Sequence, residues 1–459
     1  MMTPEEFRAY GHEVVDWIAD FLAHPERYPV LARVEPGELL DALPRSAPER
    51  GEPMAQLLED FRKLVVPGIT HWNHPGFMAY FSITGSGPGI LGEMLAAALN
   101  VNGMLWKTSP AATELEQTAL GWLRQWIGLP EEFFGIIYDT ASISSMHAIA
   151  AAREMADPEA RVRGARGGLT LYTSEQAHSS IEKGAIAIGV GQQNVRKIPV
   201  DGEFRMRVDA LEDAIRRDIA SGLRPFCIAA TVGTTSTTSV DPVEAIADVA
   251  ERYGAWLHID AAYAGAAAIL PEFRHILRGA ERAHSLVTNP HKWLFTPTDL
   301  SAFFTRKPDI LRRAFSLVPE YLRTAEHPRA VNFMDYGVQL GRRFRALKLW
   351  FVMRYFGREG VERALRQQIG WAQEFASWVD ADPRFERAAP APFSVVCFRL
   401  KASDEDNQRL LEKVNASGEI FLSHTVLRGR YVLRLAIGNL ATTRAHVERA
   451  WEIIRKVVN

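Results

Sequence analysis

Two short stretches decide the fold: Trp256-Leu257-His258-Ile259-Asp260-Ala261-Ala262, and Ser285-Leu286-Val287-Thr288-Asn289-Pro290-His291-Lys292-Trp293. Each is a short apolar run that stops at polar or turn-forming residues, which is typical of buried parallel strands. The chain between them has room for the crossover that parallel strands require, such as a helix from Pro271 to Gly279. Ligands collect at the carboxyl ends of strands in open α/β sheets. We therefore expect Asp260 and Lys292 to face one cleft.

An acid and an amine that meet in one cleft suit pyridoxal phosphate. This cofactor needs a lysine amine to bind its aldehyde and a carboxylate near its pyridine nitrogen, because the protonated ring draws electrons from the substrate α-carbon. Lys292 and Asp260 are the candidates for these roles. Their spacing alone fits equally well a surface lysine after a strand and an aspartate that caps a helix.

The composition narrows the class of protein. The chain has 459 residues, of which 47% are hydrophobic, and its length favours two or three structural units. A formal charge of −2 gives no electrostatic reason to expect nucleic acid or a membrane surface as partner. Cys227 and Cys397 lie inside apolar runs without metal-ligand spacing, which predicts buried thiols, no metal and a reducing compartment. The N-terminus lacks a secretory pattern, and no window approaches the roughly 20 apolar residues of a membrane span. We therefore expect a cytoplasmic protein that acts on a small molecule.

The N-terminus predicts an amphipathic helix. Thr3-Pro4-Glu5-Glu6 is a capping box with proline at the first helical position, and apolar residues follow at helical spacing over residues 3–22. The apolar face of this helix needs a partner. Pro and Gly residues between Pro25 and Pro53 allow it to lie away from the main body.

Two further segments have polar residues after an apolar run. Thr140, Ala141 and Ser142 stand at a predicted helix start, where hydroxyls and free backbone N–H groups suit a phosphate. An ordinary N-cap is the simpler interpretation of that segment. His178 follows a predicted strand over Leu169–Thr173, and a lone histidine there is more often a satisfied polar residue than a catalyst.

The string Asn-Pro-His-Lys-Trp at 289–293 closely resembles the lysine motif of the group II pyridoxal-phosphate decarboxylases, the aromatic-L-amino-acid decarboxylase family. Further strings resemble the same family in the same order. They are His74–Phe81, Ser109–Glu116, Thr140–Ser142, Gln176–His178, Thr231–Thr235 and Val318–Leu322.

The resemblance implies the aspartate-aminotransferase-like (type I) fold, an α/β fold with a mostly parallel central sheet. Its parts would be an N-terminal helical segment (1–85) that packs across a dimer, a large cofactor-binding domain (86–348) and a small C-terminal α+β domain (349–459). The patterning of the last hundred residues also favours a small α+β domain, because predicted helices alternate with strands at Phe393–Leu400 and Tyr431–Ile437.

The resemblance also implies roles for individual residues. Lys292 would carry the cofactor aldehyde, Asp260 would face the ring nitrogen, His178 would stack on the ring and Tyr321 would return a proton to the α-carbon. Further cofactor-binding positions are Thr140, Ala141, Ser142, Thr235, Ala262, Asn289 and His291. Substrate-contacting positions are Trp72, Tyr80, Phe81, Asn102, Met104 and Gly341.

The chain departs from the family pattern at several of these places. Asp139 and Ile143 replace a glycine and a glutamate beside the phosphate position. Ser82-Ile83 stands where animal members have Pro-Thr. Asn102 and Met104 replace an isoleucine and a phenylalanine that reach into the neighbouring subunit's pocket. Gly341, in contrast, is usual in members that act on aromatic substrates.

The resemblance predicts a homodimer that decarboxylates an L-amino acid, with an aromatic one favoured, to the amine and CO2. Three alternatives stay open: an oxygen-dependent aromatic acetaldehyde synthase, an aminotransferase, and a non-catalytic scaffold. Tyr321 speaks against the synthase, because such enzymes generally carry phenylalanine there. This tyrosine lies in Arg312–Phe333, which Pro319 and Pro328 prevent from forming one continuous helix and which we predict to be a mobile loop.

Overall fold

The computed structural model describes residues 2–317 and 329–458. Its strands are β1 (Phe77–Met78), β2 (Phe134–Tyr138), β3 (Leu169–Ser174), β4 (Val195–Ile198), β5 (Arg224–Thr231), β6 (Trp256–Asp260), β7 (Ser285–Thr288), β8 (Ser301–Thr305), β9 (Phe385–Arg387), β10 (Val395–Leu400), β11 (Phe421–Leu427) and β12 (Arg430–Ala436). Its α-helices are α1 (Pro4–Ala23), α2 (Glu38–Ala42), α3 (Met54–Asp60), α4 (Gly87–Leu99), α5 (Pro110–Ile127), α6 (Ala141–Ala156), α7 (Ala160–Arg163), α8 (Ser179–Ala187), α9 (Val208–Ala220), α10 (Val243–Tyr253), α11 (Pro290–Trp293), α12 (Pro308–Phe315), α13 (Ala346–Ala381), α14 (Asp404–Ala416) and α15 (Arg444–Val458).

The central sheet has seven strands in the order β2-β8-β7-β6-β5-β3-β4. The pairs β3–β4, β3–β5, β5–β6 and β6–β7 are parallel, and only β8 runs against its neighbours β2 and β7. Every residue of β3, β6, β7 and β8 is buried, as expected for strands covered by helices on both faces. The predicted α/β fold with a mostly parallel sheet is confirmed.

The apolar runs that begin at Trp256 and Ser285 form the neighbouring parallel strands β6 and β7. Asp260 is the last residue of β6 and pairs with Val287 of β7. The crossover between them is made of 3₁₀ turns at Ala264–Ile269 and Pro271–Leu277. The helix predicted from Pro271 to Gly279 is present, but it is a 3₁₀ helix that ends at Leu277.

A second sheet has five strands in the order β1-β11-β12-β10-β9. Its first strand, β1, comes from the aromatic-rich segment near residue 77 and pairs in parallel with β11, more than 300 residues later. This pairing fixes that segment against the C-terminal part of the chain. The proposed domain limits at residues 85 and 348 stay predictions.

The N-terminal helix has the predicted cap. The Thr3 hydroxyl accepts from Glu6 N at 3.1 Å, and the Glu6 carboxylate accepts from Thr3 N at 2.8 Å. No residue of α1 is fully buried, and the Phe7 side chain is 69% exposed. The inner part of the helix contacts the rest of the chain through the rings of Trp17 and Phe21.

The segment predicted as a loop over Arg312–Phe333 is partly helical. Helix α12 continues to Phe315, and Phe333 begins a 3₁₀ turn that ends at Tyr336. The prediction was wrong for these ends, because Leu311 is buried and anchors the last turns of α12 in the core. The part that contains Tyr321 lies outside the described residues.

Cys227 and Cys397 are both free and buried, as predicted. Among residues 2–317 and 329–458, no helix has the length and apolar character needed to cross a membrane.

Candidate active site

A cavity of about 350 Å³ lies at the carboxyl ends of β5, β6 and β7. Lys292 and Asp260 both line it, as the sequence predicted. Asp260 is only 5% exposed, and its Oδ1 accepts a hydrogen bond of 3.1 Å from Ala262 N. The turn at Ala261–Tyr263 therefore holds the carboxylate at the cavity.

Lys292 projects from the one-turn helix α11 directly after β7. Its Nζ lies 5.3 Å from the centre of the Phe81 ring. Burial lowers the pKa of Lys292, and the nearby Asp260 carboxylate opposes that shift. A larger share of this amine is therefore unprotonated near neutral pH than is usual for lysine, and the neutral amine is the nucleophilic form.

His178 caps helix α8 beside the same cavity. Its Nδ1 lies 2.8 Å from Ser180 Oγ and accepts from Ser180 N at 3.2 Å, which fixes the ring. Burial lowers the pKa of His178, Asp260 raises it and Lys292 lowers it further. The imidazole is therefore mostly neutral at neutral pH, so it can lie against a flat ring without adding a charge.

The first turn of α6 forms another wall, with Thr140, Ala141 and Ser142 lining the cavity. The leading N–H groups of a helix have no intrahelical acceptor and suit a phosphate. Asp139 modifies this cradle, because its Oδ1 accepts from Thr140 N at 2.5 Å and from the Thr140 hydroxyl at 3.1 Å. The free donors of the cradle are therefore those that follow Thr140.

A buried amide without a partner also indicates that the cavity holds a ligand such as pyridoxal phosphate. Asn289 is 3% exposed and lines the cavity, and its Oδ1 is buried without a hydrogen-bond partner in the described part of the chain. A buried unpartnered amide is costly unless a ligand completes its bonding. The cavity therefore has an amine from Lys292, a carboxylate from Asp260 and an anion cradle from the N-terminus of α6. Asn289 adds a free amide oxygen.

An aromatic stack forms the wall next to Lys292. The Tyr263 ring lies parallel to Phe81 at 3.9 Å and to Trp293 at 4.6 Å, measured between ring centres. Trp72 and Tyr80 stack on each other at 5.9 Å nearer the solvent, and Tyr80 is 52% exposed. This wall presents flat apolar surface, which suits an aromatic group.

The structure brings most of the predicted site residues to this cavity. Those that line it are Trp72, Tyr80, Phe81, Thr140, Ala141, Ser142, His178, Thr235, Asp260, Ala262, Asn289, His291 and Lys292.

Three predicted substrate positions lie elsewhere. Asn102, Met104 and Gly341 form a separate cluster, in which Asn102 Nδ2 is 3.5 Å from Met104 Sδ and Asn102 Oδ1 accepts from Arg342 N. None of the three lines the cavity of its own chain. Asn102 and Met104 correspond to family positions that reach into a neighbouring subunit's pocket, so their contact with substrate stays a prediction. The link of Gly341 to the choice of substrate stays a prediction as well.

Arg434 was not among the predicted site residues, although it lines the cavity and is 4% exposed. Its guanidinium donates to the carbonyls of Thr235 and Ser236 at 2.8 Å each and to Ser423 Oγ at 3.1 Å. Among the described residues it has no carboxylate partner, so it contributes an uncompensated positive charge. A single arginine inside the apolar run of β12 was the signal that could have revealed it.

Comparisons with known proteins identify the family of this chain. The family profile described as "Pyridoxal-dependent decarboxylase conserved domain" matches residues 36–401. The chain is 41% identical to an aromatic-L-amino-acid decarboxylase of Catharanthus roseus over 471 aligned residues, which cover 99% of this chain and 94% of that protein. It is also 41% identical to a phenylacetaldehyde synthase of a Rosa hybrid cultivar, with the same coverage. The crystal structure of the Oryza sativa protein TDC with PLP and tryptamine superposes with a TM-score of 0.97 at 39% identity, covering 99% of this chain and 98% of that one.

The geometry predicts which lysine binds the cofactor. Pyridoxal phosphate added to the purified apoprotein should give the visible absorbance band of a lysine imine with the wild type and not with Lys292→Ala, because Lys292 is the lysine that lines the Asp260 cavity in the described part of the chain. Lys183→Ala is the matched control, since Lys183 is exposed and acts on His178 only through its charge. A full band in Lys292→Ala, measured by absorbance titration, would contradict the assignment.

Proposed function

The chain belongs to the pyridoxal-dependent decarboxylase family, and we propose that it converts an aromatic L-amino acid to the corresponding amine and CO2. The observation that carries this proposal is a single cavity that is lined both by Lys292 and Asp260 and by the aromatic side chains of Trp72, Tyr80 and Phe81.

When bound, pyridoxal phosphate supplies an aldehyde that condenses with amines and a protonated ring that accepts the electrons left when CO2 departs. The protein contributes placement and charge. Asp260 would provide the negative charge that keeps a proton on the pyridine nitrogen. The N-terminus of helix α6 would bind the phosphate end, and the free Oδ1 of Asn289 would accept a hydrogen bond from a donor of the bound group.

Lys292 would hold the aldehyde through Nζ, and its lowered pKa favours the neutral amine that this requires. His178, which also lines the cavity, would pack against the bound ring and exclude water. Arg434 attracts the carboxylate of the incoming amino acid, because it is the buried cation at this cavity without an acidic partner among the described residues.

Substrate choice follows from the aromatic wall. Trp72 and Tyr80 form a stacked pair at the mouth, and Phe81 continues the flat surface towards Lys292. An aromatic side chain gains stacking and apolar burial on such a wall, whereas a carboxylate side chain gains neither. The Oryza sativa protein with tryptamine and the decarboxylase of Catharanthus roseus support this preference.

We also propose that the protein is a cytoplasmic homodimer with its active sites at the subunit interface. Several large apolar side chains of the N-terminal helices and of α4 are exposed, and exposed apolar side chains of this size favour an interaction site. They are Phe7, Leu40, Leu57, Leu91, Met94, Leu95 and Leu99. The buried free thiols of Cys227 and Cys397 fit a reducing compartment.

An oxygen-dependent aldehyde synthase is the second candidate, because the relative of the Rosa hybrid is a phenylacetaldehyde synthase. Tyr321 favours the decarboxylase, since it would return a proton to the α-carbon and so complete amine formation. An aminotransferase would produce keto acid without CO2, and a scaffold would bind no cofactor.

The reaction is tested by the products of the wild-type enzyme. Tryptophan, tyrosine, phenylalanine, dihydroxyphenylalanine, histidine and glutamate are each incubated with the cofactor-loaded protein, and CO2, amine, aldehyde and hydrogen peroxide are measured. We expect CO2 and amine in equal amounts from aromatic substrates and the lowest rate from glutamate. Keto acid without CO2 would contradict the proposed reaction, and glutamate as the best substrate would contradict the proposed preference.

The role of Tyr321 is tested with Tyr321→Phe, which removes only the hydroxyl proton donor. We expect amine yield to fall and aldehyde with hydrogen peroxide to rise, while CO2 release continues. Tyr336→Phe is a control, because Tyr336 lies three residues after the end of the Arg312–Phe333 segment and does not line the cavity. If Tyr321→Phe gives amine at the wild-type yield, Tyr321 is not the proton donor.

The oligomeric state is tested by light scattering during size-exclusion chromatography. We expect twice the chain mass for the wild type and a shift to the single-chain mass for Leu95→Glu, because a charge would enter the exposed apolar face of α4. Val426→Glu is the matched control, an exposed apolar residue on β11. A single-chain mass for the wild type would remove the dimer from the proposal.

A further inference from the structure

A buried histidine that does not line the cavity connects helix α6, which carries the anion cradle, with strands β6 and β7, which lead to Asp260 and Lys292. His258 lies in β6, two residues before Asp260, and is fully buried. Its Nε2 lies 3.0 Å from Ser145 Oγ of helix α6, and its Nδ1 lies 2.9 Å from Ser285 Oγ at the start of β7. These are the helix that presents the phosphate cradle and the strand that leads to Asn289 and Lys292.

The hydrogen bond to Ser145 holds helix α6 one turn after the cradle. Ser145 is four residues after Ala141, so the two lie on the same face of α6, one turn apart. His258 and Asp260 are two residues apart in a strand, so both side chains point to the same face of the sheet. One hydrogen bond therefore spans from the strand that carries the carboxylate to the first turns of the helix that carries the anion cradle.

The surroundings of His258 make this connection rigid. Trp256 Nε1 donates to the same Ser285 Oγ at 2.9 Å, which holds the hydroxyl from its other side. Burial lowers the pKa of His258 to about 4, so the ring stays neutral and keeps one donor and one acceptor around neutral pH. A neutral imidazole with a hydroxyl partner on each nitrogen satisfies the buried polar groups of all three side chains.

We propose that His258 is a positioning residue that sets the spacing between the phosphate cradle at Thr140–Ser142 and the Asp260 carboxylate. A rigid cofactor that contacts both ends binds tightly only when that spacing matches its length. The inference rests on the proposed cofactor site. It goes beyond it by assigning the spacing to a residue that touches neither ligand nor cavity.

The test compares two ligands, three variants and one control variant. His258→Asn places an amide near the Nδ1 position and keeps Ser285 within reach, but it is too short for Ser145. His258→Gln places its amide near the Nε2 position and so reaches Ser145. Ser145→Ala cuts the same bond from the helix side and leaves the histidine in place. Apoproteins are titrated with pyridoxal phosphate and with pyridoxal, which lacks the phosphate, and their melting temperatures are recorded separately.

We expect His258→Asn and Ser145→Ala to weaken pyridoxal phosphate binding by on the order of tenfold, the effect of losing about one buried hydrogen bond. Pyridoxal affinity should stay at the wild-type level in both, because pyridoxal uses only the Asp260 end. His258→Gln should retain wild-type affinity for pyridoxal phosphate. His284→Ala is the matched control: it removes a hydrogen bond to Leu257 N of the same strand, and His284 has no bond to α6 among the described residues. It should lower the melting temperature without changing the ratio of the two affinities.

Equal weakening for both ligands, or a loss in His258→Gln as large as in His258→Asn, would show a general structural role and overturn the inference. Wild-type affinity for pyridoxal phosphate in Ser145→Ala would overturn it as well. These results leave the proposed function intact as long as the wild type binds pyridoxal phosphate. A wild type that binds neither ligand would contradict the proposed function, and with it this inference.

Discussion

The parallel pairing of β6 with β7 is the constraint on which the site depends. It places Asp260 opposite Val287, so the carboxylate and the turn that presents Lys292 leave the sheet at the same edge. Burying the amine lowers its pKa, and the neighbouring carboxylate limits that shift. The pair therefore provides a reactive amine and a fixed negative charge in one small volume, at a place where the sheet gives both a rigid support.

The other walls come from distant parts of the chain, and backbone pairing brings them together. Strand β1 joins β11 in parallel, which fixes Tyr80 and Phe81, and Arg434 enters from β12 of the same small sheet. Asn439 strengthens this connection by donating from Nδ2 to the carbonyls of Trp72 and His74. Tyr80, Phe81 and the buried cation are thus attached to the small sheet, while Lys292 and Asp260 belong to the large sheet.

The sequence predicted the parts of this site that are local, and it failed where the site depends on contacts across the chain. The strand ends at Asp260 and Thr288, the cap at Thr3 and the helix start at Thr140 follow from short-range patterns, and the family strings supplied His178 and the aromatic wall. The position of Arg434 in the apolar run of β12 was a signal in the sequence, but the packed structure was needed to show that this arginine lines the cavity and has no acidic partner among the described residues. The loop limits failed because Leu311 is buried by tertiary packing that no local pattern shows. His258 looked like one more residue of an apolar run, although its two hydroxyl partners come from α6 and β7.

The proposed chemistry depends on Lys292, which lines the same cavity as Asp260, as the amine that holds the cofactor. The most direct measurement is borohydride reduction of the cofactor-loaded wild-type protein, which makes the bond to the amine permanent, followed by mass mapping of its peptides. We predict a single modified peptide that contains Lys292. The modification should be lost in Lys292→Arg, which keeps Asp260. Modification of a different lysine, or of none, would contradict it.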